Sequence, residues 1–197
     1  MVAANNPNKL GLTVYLVILV LLSVLCRTVL AEEPSILDRN EALQVAILSL
    51  VAEEPNHVLN RDLAARERLA DALIDAGDEY DVSPYLLLVM AYRESSLKMS
   101  AVGKLGELGL FQLHGVAKES CSETLTDDPA THARCGARWL RLSFEMCGGK
   151  SWGKAVSAYG AGRCDVGESS MWAERARSRV RMAERLEARW DTTQTRK

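Results

Sequence analysis

Between Ser83-Pro84 and Arg93-Glu94-Ser95 the chain carries the almost wholly apolar run Tyr85 to Tyr92. Serine as a cap and proline in the first turn mark a helix start, so the sequence predicts a short buried helix over Pro84 to Glu94. The rest of the chain must then wrap around it. The helix ends on a carboxylate. Glu94 follows Leu87, Met90 and Ala91 by seven, four and three residues, and so shares their apolar face. It also sits at the helix C-terminus, where the macrodipole disfavours negative charge. Burial and dipole both favour the protonated form, which is the form a general acid needs near neutral pH. On spacing alone the alternative is a terminal Glu that bends into solvent or pairs with Lys98.

The flanking segments read as further helices. Ser35 caps an amphipathic stretch over residues 35–54, with Ile36, Leu37, Leu43, Ala46, Ile47 and Leu50 as its stripe. A second spans residues 61–76, with Leu63, Leu69, Leu73 and Ile74 inward, and stops at Gly77. Gly103, Gly106 and Gly109 mark a loop, followed by a short helix over residues 110–118. Asp127-Asp128-Pro129 opens a helix that runs to about Met146 and stops at Gly148-Gly149. Ser151 starts another that ends near Gly160-Ala161-Gly162, and a charged helix covers about 168–190. Strand-like alternation is absent. The expected fold is an all-α domain of short helices.

Composition limits the partners. The 197 residues suffice for one domain with a real core. The formal net charge is -2 with no basic tract, which argues against nucleic acid. Lys9 precedes a nearly unbroken apolar stretch over Leu10 to Leu25. Val29-Leu30-Ala31 then offers a cleavage site before Glu32-Glu33-Pro34, the pattern of a secretory signal peptide. An uncleaved membrane anchor and a lipidated Cys26 are the competing readings, and all three export the domain. Cys121, Cys135, Cys147 and Cys164 remain, an even count that suggests two disulfides in an oxidising compartment. Cys135 and Cys147 fall in one predicted helix, about 18 Å apart, so they do not pair with each other. Two pairings stay open: Cys121–Cys135 with Cys147–Cys164, or Cys121–Cys147 with Cys135–Cys164. No Cys/His cluster supports zinc, and His57, His114 and His132 are scattered.

Four motifs appear in order after the apolar helix begins: Glu94-Ser95; Gly106-Glu107-Leu108-Gly109-Leu110-Phe111-Gln112; Asp128-Pro129 with Gly136-Ala137-Arg138-Trp139-Leu140; and Ala158-Tyr159-Gly160-Ala161-Gly162. In these the chain resembles the lytic transglycosylases of the soluble SLT type, members of the lysozyme-like superfamily related to goose-type lysozymes. The resemblance covers about residues 66–167. It implies a lysozyme-like compact fold, with residues 1–31 as signal or anchor, 32–65 as an N-terminal helical extension, and 168–197 as a C-terminal helix and tail.

The resemblance also implies roles. Glu94 matches the catalytic acid/base, and Tyr159 the tyrosine whose hydroxyl approaches that carboxylate; Tyr159 equally fits a core stripe with Trp152 and Ala155 or Val156. Ser95 would orient sugar or carboxylate, and Gln112 would meet N-acetyl groups. Phe111 and Gly160 would also line the substrate site by this resemblance, and Phe111 stands where the family has Met. Gly160 stands where it has Asn, which removes a side-chain amide from the cleft, and His114-Gly115 replaces Met-Pro.

The implied reaction cleaves the MurNAc-β-1,4-GlcNAc bond of peptidoglycan strands and closes a 1,6-anhydro ring, with one carboxylate and no metal or organic cofactor. Hydrolysis of the lysozyme kind would instead need a second carboxylate. Glu107 is the candidate for that role, against the simpler reading of a solvated loop residue. A non-catalytic peptidoglycan-binding or scaffold domain of an envelope assembly is the alternative from another class. The expected location is the periplasm or cell envelope, where the domain would remodel the wall or open it for a secretion apparatus. Membrane contact would come only through the N-terminal segment.

Overall fold

The apolar run forms the expected central helix. In the computed structural model, residues 36–121 and 128–194 are described. The expected leader over 1–31 with its Cys26, the cap Ser35 and the residue Asp127 lie outside them. Eight helices and no strand are present among the described residues: α1 (Ile36–Val51), α2 (Val58–Arg61), α3 (Leu63–Tyr80), α4 (Pro84–Ser95), α5 (Gly115–Cys121), α6 (Pro129–Met146), α7 (Trp152–Ala161) and α8 (Met171–Gln194). α4 buries every residue from Tyr85 to Ala91. It packs against α3, α6 and α8, while α3 lies along α6 and α7 along both α6 and α8.

Helix starts follow the cap chemistry. Asp62, Asp128 and Ser151 accept hydrogen bonds from the first-turn N–H groups of α3, α6 and α7. Ser83 stands at the cap position of α4 with Pro84 behind it, yet its hydroxyl makes no cap bond and is buried without a partner. Here the proline and the apolar face define the start.

Two boundaries differ from expectation. α3 does not stop at Gly77 but continues to Tyr80 and ends on Asp81, whose φ is 52°. Gly77 serves close approach instead: a Cβ there would lie 2.6 Å from the Val82 carbonyl oxygen, so only glycine lets the α3–α4 turn fold back onto its helix. The expected helix over 110–118 is displaced to Gly115–Cys121. Residues 108 and 113 pair as an antiparallel bridge through two N–H to carbonyl bonds of 3.1 Å. Gln112 at φ 47° closes the turn between them.

α1 and α2 precede the segment that carries the motifs, but they share its core. Leu43, Ile47, Val51 and Leu59 are buried in one cluster with α3 and α4. Polar ties fasten the same contact. Arg39 makes a two-pronged bridge to Asp78, at 3.0 and 2.8 Å, Asn40 donates to Asp71, and Arg66 donates to the Leu59 carbonyl at 2.8 Å.

The disulfides resolve the open pairing: Cys121 joins Cys135, and Cys147 joins Cys164. The first staples α5 to α6. The second ties the end of α6 to the chain just beyond α7. No described helix is long and apolar enough to cross a membrane.

Candidate active site

Glu94 lies in the last turn of α4. Its helical neighbours Leu87, Met90 and Ala91 are fully buried, while its own side chain is 22% exposed. The carboxylate therefore stands at the rim of the core, where a substrate can reach it. It is not free. Arg179 of α8 brings a guanidinium nitrogen to 2.6 Å from Glu94 Oε1, and the same nitrogen donates to Met90 Sδ at 3.7 Å. Beyond the apolar wall and the helix dipole that the spacing along α4 predicts, Glu94 has a cation beside it. Lys98, the alternative partner, pairs with Glu54 at 3.5 Å.

Tyr159 approaches from α7. Its hydroxyl donates to the Phe111 carbonyl at 2.9 Å. Burial pushes its pKa up from the usual 10.0, and the negative charge of Glu94 adds to this while Arg179 opposes it. The phenol thus remains a neutral donor across ordinary pH.

Two buried groups hold the glycine loop, and a third holds the cap of α4 next to it. Ser95 is 9% exposed. Its one hydroxyl proton is shared between the carbonyls of Ala91 (3.0 Å) and Leu110 (2.8 Å), and its oxygen accepts from Lys98 N–H at 3.3 Å. It fastens the loop to the end of α4 rather than facing a sugar. Behind the loop, His132 of α6 accepts the Leu110 N–H at Nδ1, 3.3 Å away. Gly109, at φ 73°, must be glycine, because a Cβ would lie 2.2 Å from the His132 ring. On the other side His57 accepts from Leu59 N–H at Nδ1, which leaves Nε2 as the donor to the Ser96 carbonyl at 2.8 Å. Ser96, at φ 53°, is the left-handed cap of α4.

Phe111 is 1% exposed and belongs to the buried core, out of reach of a substrate. Gly136 makes its seat, since a Cβ there would fall 2.4 Å from the Phe111 ring. This corrects the expectation that Phe111 contacts substrate. Gln112 donates both its amide hydrogens to the loop, to the carbonyls of Gly109 (2.9 Å) and Ala101 (3.2 Å). Its Oε1 is the atom left over for a ligand. Glu107 accepts from Leu105 N–H at 2.8 Å. Hydrogen bonds from its own N–H and from Leu105, aided by the field of His114, hold its carboxyl below the usual carboxylate range. It braces the loop.

At Gly160 the structure leaves no room for a side chain. A Cβ there would lie 2.6 Å from Trp172 Cζ3 and 2.9 Å from Cε3. The indole occupies the space that a side chain at 160 would need.

A family model for the transglycosylase SLT domain matches residues 71–180, more than half of the chain. The chain belongs to the transglycosylase SLT family. The match takes in α4, the glycine loop, α6, α7 and the part of α8 that bears Arg179. The helical SLT domain is of the lysozyme-like kind, and membership supports a peptidoglycan-acting function.

Arg179, Trp172, His57 and His132 escaped sequence reasoning. A signal for two of them exists in α8. Trp172, Ala176, Arg179, Ala183 and Leu186 follow one helical stripe, and the last, like both alanines, is buried. An arginine at an inward position of such a stripe calls for an anionic partner.

Proposed function

We propose that this protein is an exported lytic transglycosylase that cleaves the MurNAc-β-1,4-GlcNAc bond of peptidoglycan with Glu94 as its acid and base. The single observation that supports this best is the placing of Glu94: a partly exposed carboxylate at the end of the central helix of an SLT domain, flanked by Arg179 and by the Tyr159 hydroxyl's loop anchor.

The chemistry needs one carboxyl. Protonated Glu94 gives its proton to the bridging oxygen, and the C1–O bond breaks with its electrons on the departing GlcNAc. The carboxylate so formed takes the proton of the muramic C6 hydroxyl as O6 bonds to C1. Glu94 ends protonated and no water is consumed. Hydrolysis would ask for a second carboxylate on the opposite face of the sugar. The nearby candidate, Glu107, is engaged with its own loop backbone, which favours transglycosylation.

In this reading Gln112 Oε1 receives a sugar N–H, and Tyr159 and Ser95 hold the glycine loop at its height beside Glu94. Export fits the two disulfides and the N-terminal apolar stretch. A role in wall remodelling or in opening the wall for an envelope-spanning apparatus follows from the substrate. Turbidity of purified sacculi tests the enzyme reading: wild type clears them, and Glu94→Gln, with an unchanged circular dichroism spectrum, does not. Equal clearing by Glu94→Gln would remove Glu94 from the mechanism, and binding without clearing by wild type would leave a scaffold domain.

A further inference from the structure

Glu94 must be an acid first and a base second, and the two roles need opposite protonation states. At 2.6 Å the guanidinium of Arg179 pairs with Glu94 Oε1. That guanidinium is itself only 13% exposed, and its other partner seen here is the Met90 sulfur, a weak acceptor. A cation packed in place in this way fixes the direction in which the carboxyl points.

The other groups around Glu94 do not supply this charge. Tyr159 from α7 is neutral and feels Glu94 as a repulsive field. Arg93, on α4 itself, is exposed, and Lys98 is taken by Glu54. From the loop, Glu107 is bound to Leu105 N–H. From α6, His132 turns Nδ1 to Leu110 N–H. From α2, His57 is engaged with Leu59 and Ser96. From α3, the residues turned to the core are apolar: Leu69, Ala72, Leu73 and Ala76.

We propose that Arg179 is a positioning residue for the reaction: its ion pair holds the Glu94 carboxyl in one orientation, so that the carboxylate left after C1–O cleavage faces the C6 hydroxyl whose proton it takes. The inference rests on the reading of Glu94 as the acid/base. In the cycle, the guanidinium stabilises the carboxylate that exists between C1–O cleavage and O6–C1 closure. No atom is transferred to or from Arg179.

The test is the rate of the full chain on purified sacculi as their concentration is varied, for wild type, Arg179→Met and Arg179→Lys. Arg179→Met keeps the length of the side chain and removes its charge. Its maximal rate is expected to fall by roughly 10- to 100-fold, with the half-saturating sacculus concentration and the urea midpoint unchanged. Arg179→Lys restores the charge and is expected to recover most of the rate. An Arg179→Met maximal rate equal to that of wild type, or an Arg179→Lys variant as slow as Arg179→Met, overturns the proposal. Should Arg179→Met fail to fold, NMR of the wild type decides. The Arg179 guanidinium protons are expected to give sharp, slowly exchanging signals that broaden in Glu94→Gln; signals that exchange as fast as those of exposed arginines overturn the proposal. Active wild type, inactive Glu94→Gln and an unchanged Arg179→Met would sink the role of Arg179 alone. Clearing by Glu94→Gln would sink the underlying reading of Glu94.

Discussion

Gly160 and Trp172 are fitted to each other: the indole of Trp172 fills the place where a Cβ on residue 160 would stand, 2.6 Å from Cζ3. Residues 160 and 172 therefore share one packing space between α7 and α8, and the two positions act as one unit. Gly160→Asn is expected to overpack this contact and cost about 1–3 kcal/mol, with a Tm lower by roughly 2–10 °C. In a double-mutant cycle, Gly160→Asn with Trp172→Ala is expected to lose clearly less stability than the two single changes added together. Additive losses would show that the two positions are independent.

Tyr159 carries a pH dependence with a definite sign. Burial first, and then the charge of Glu94, raise its pKa in the folded state above the usual 10.0. The folded protein then holds the phenolic proton where the unfolded chain has lost it. The contribution is complete below pH 10 and is lost as pH rises from there towards the folded value. Tyr159→Phe is expected to cost about 1 kcal/mol at neutral pH, through the lost bond to the Phe111 carbonyl. It is also expected to flatten the fall of stability above pH 10. Some slope will persist, because the pKa of Tyr80 is raised too, by burial and by Glu79. Urea midpoints measured from pH 7 to pH 11 check both parts; parallel curves for wild type and variant would contradict the account.

Much of this arrangement is legible in the sequence because it is local. Ser83-Pro84 and Asp128-Pro129 signal helix starts, and the apolar run fixes α4 as the buried centre. The three-, four- and seven-residue spacing places Glu94 on the face of Leu87, Met90 and Ala91, which are buried. What failed to show depends on contacts that follow no helical period. Gly77 looks like a helix stop by the usual rule, but its neighbour is the Val82 carbonyl, and a short contact of that kind has no periodic signature. The turn at Gln112 and the bridge of residues 108 and 113 displaced a helix that local propensity allowed. The resemblance places Ser95 at the sugar or the carboxylate and Phe111 at the substrate; both are buried, and the Ser95 hydroxyl and the Phe111 carbonyl bond the loop to its neighbours. Arg179 stands 85 positions beyond Glu94 in number, and only the inward stripe of α8 hints at it.

The disulfides close loops of 14 and 17 residues separation. By chain entropy each stabilises the fold by roughly 3 kcal/mol. Cys147→Ser with Cys164→Ser is expected to lower the urea midpoint in keeping with that figure, and the wild type in reductant is expected to fall further, since both bridges open. A midpoint indifferent to reductant would mean that neither bridge constrains the unfolded chain.

The central claim is that Glu94 serves as acid and then base while the substrate supplies its own nucleophile. It is tested most directly by digesting purified sacculi in water enriched in oxygen-18 and weighing the products. The account predicts muropeptides with a 1,6-anhydro end, one water lighter than the hydrolytic product and free of label, from the wild type and none from Glu94→Gln. Reducing ends that carry one heavy oxygen, or anhydro products from Glu94→Gln, would contradict it.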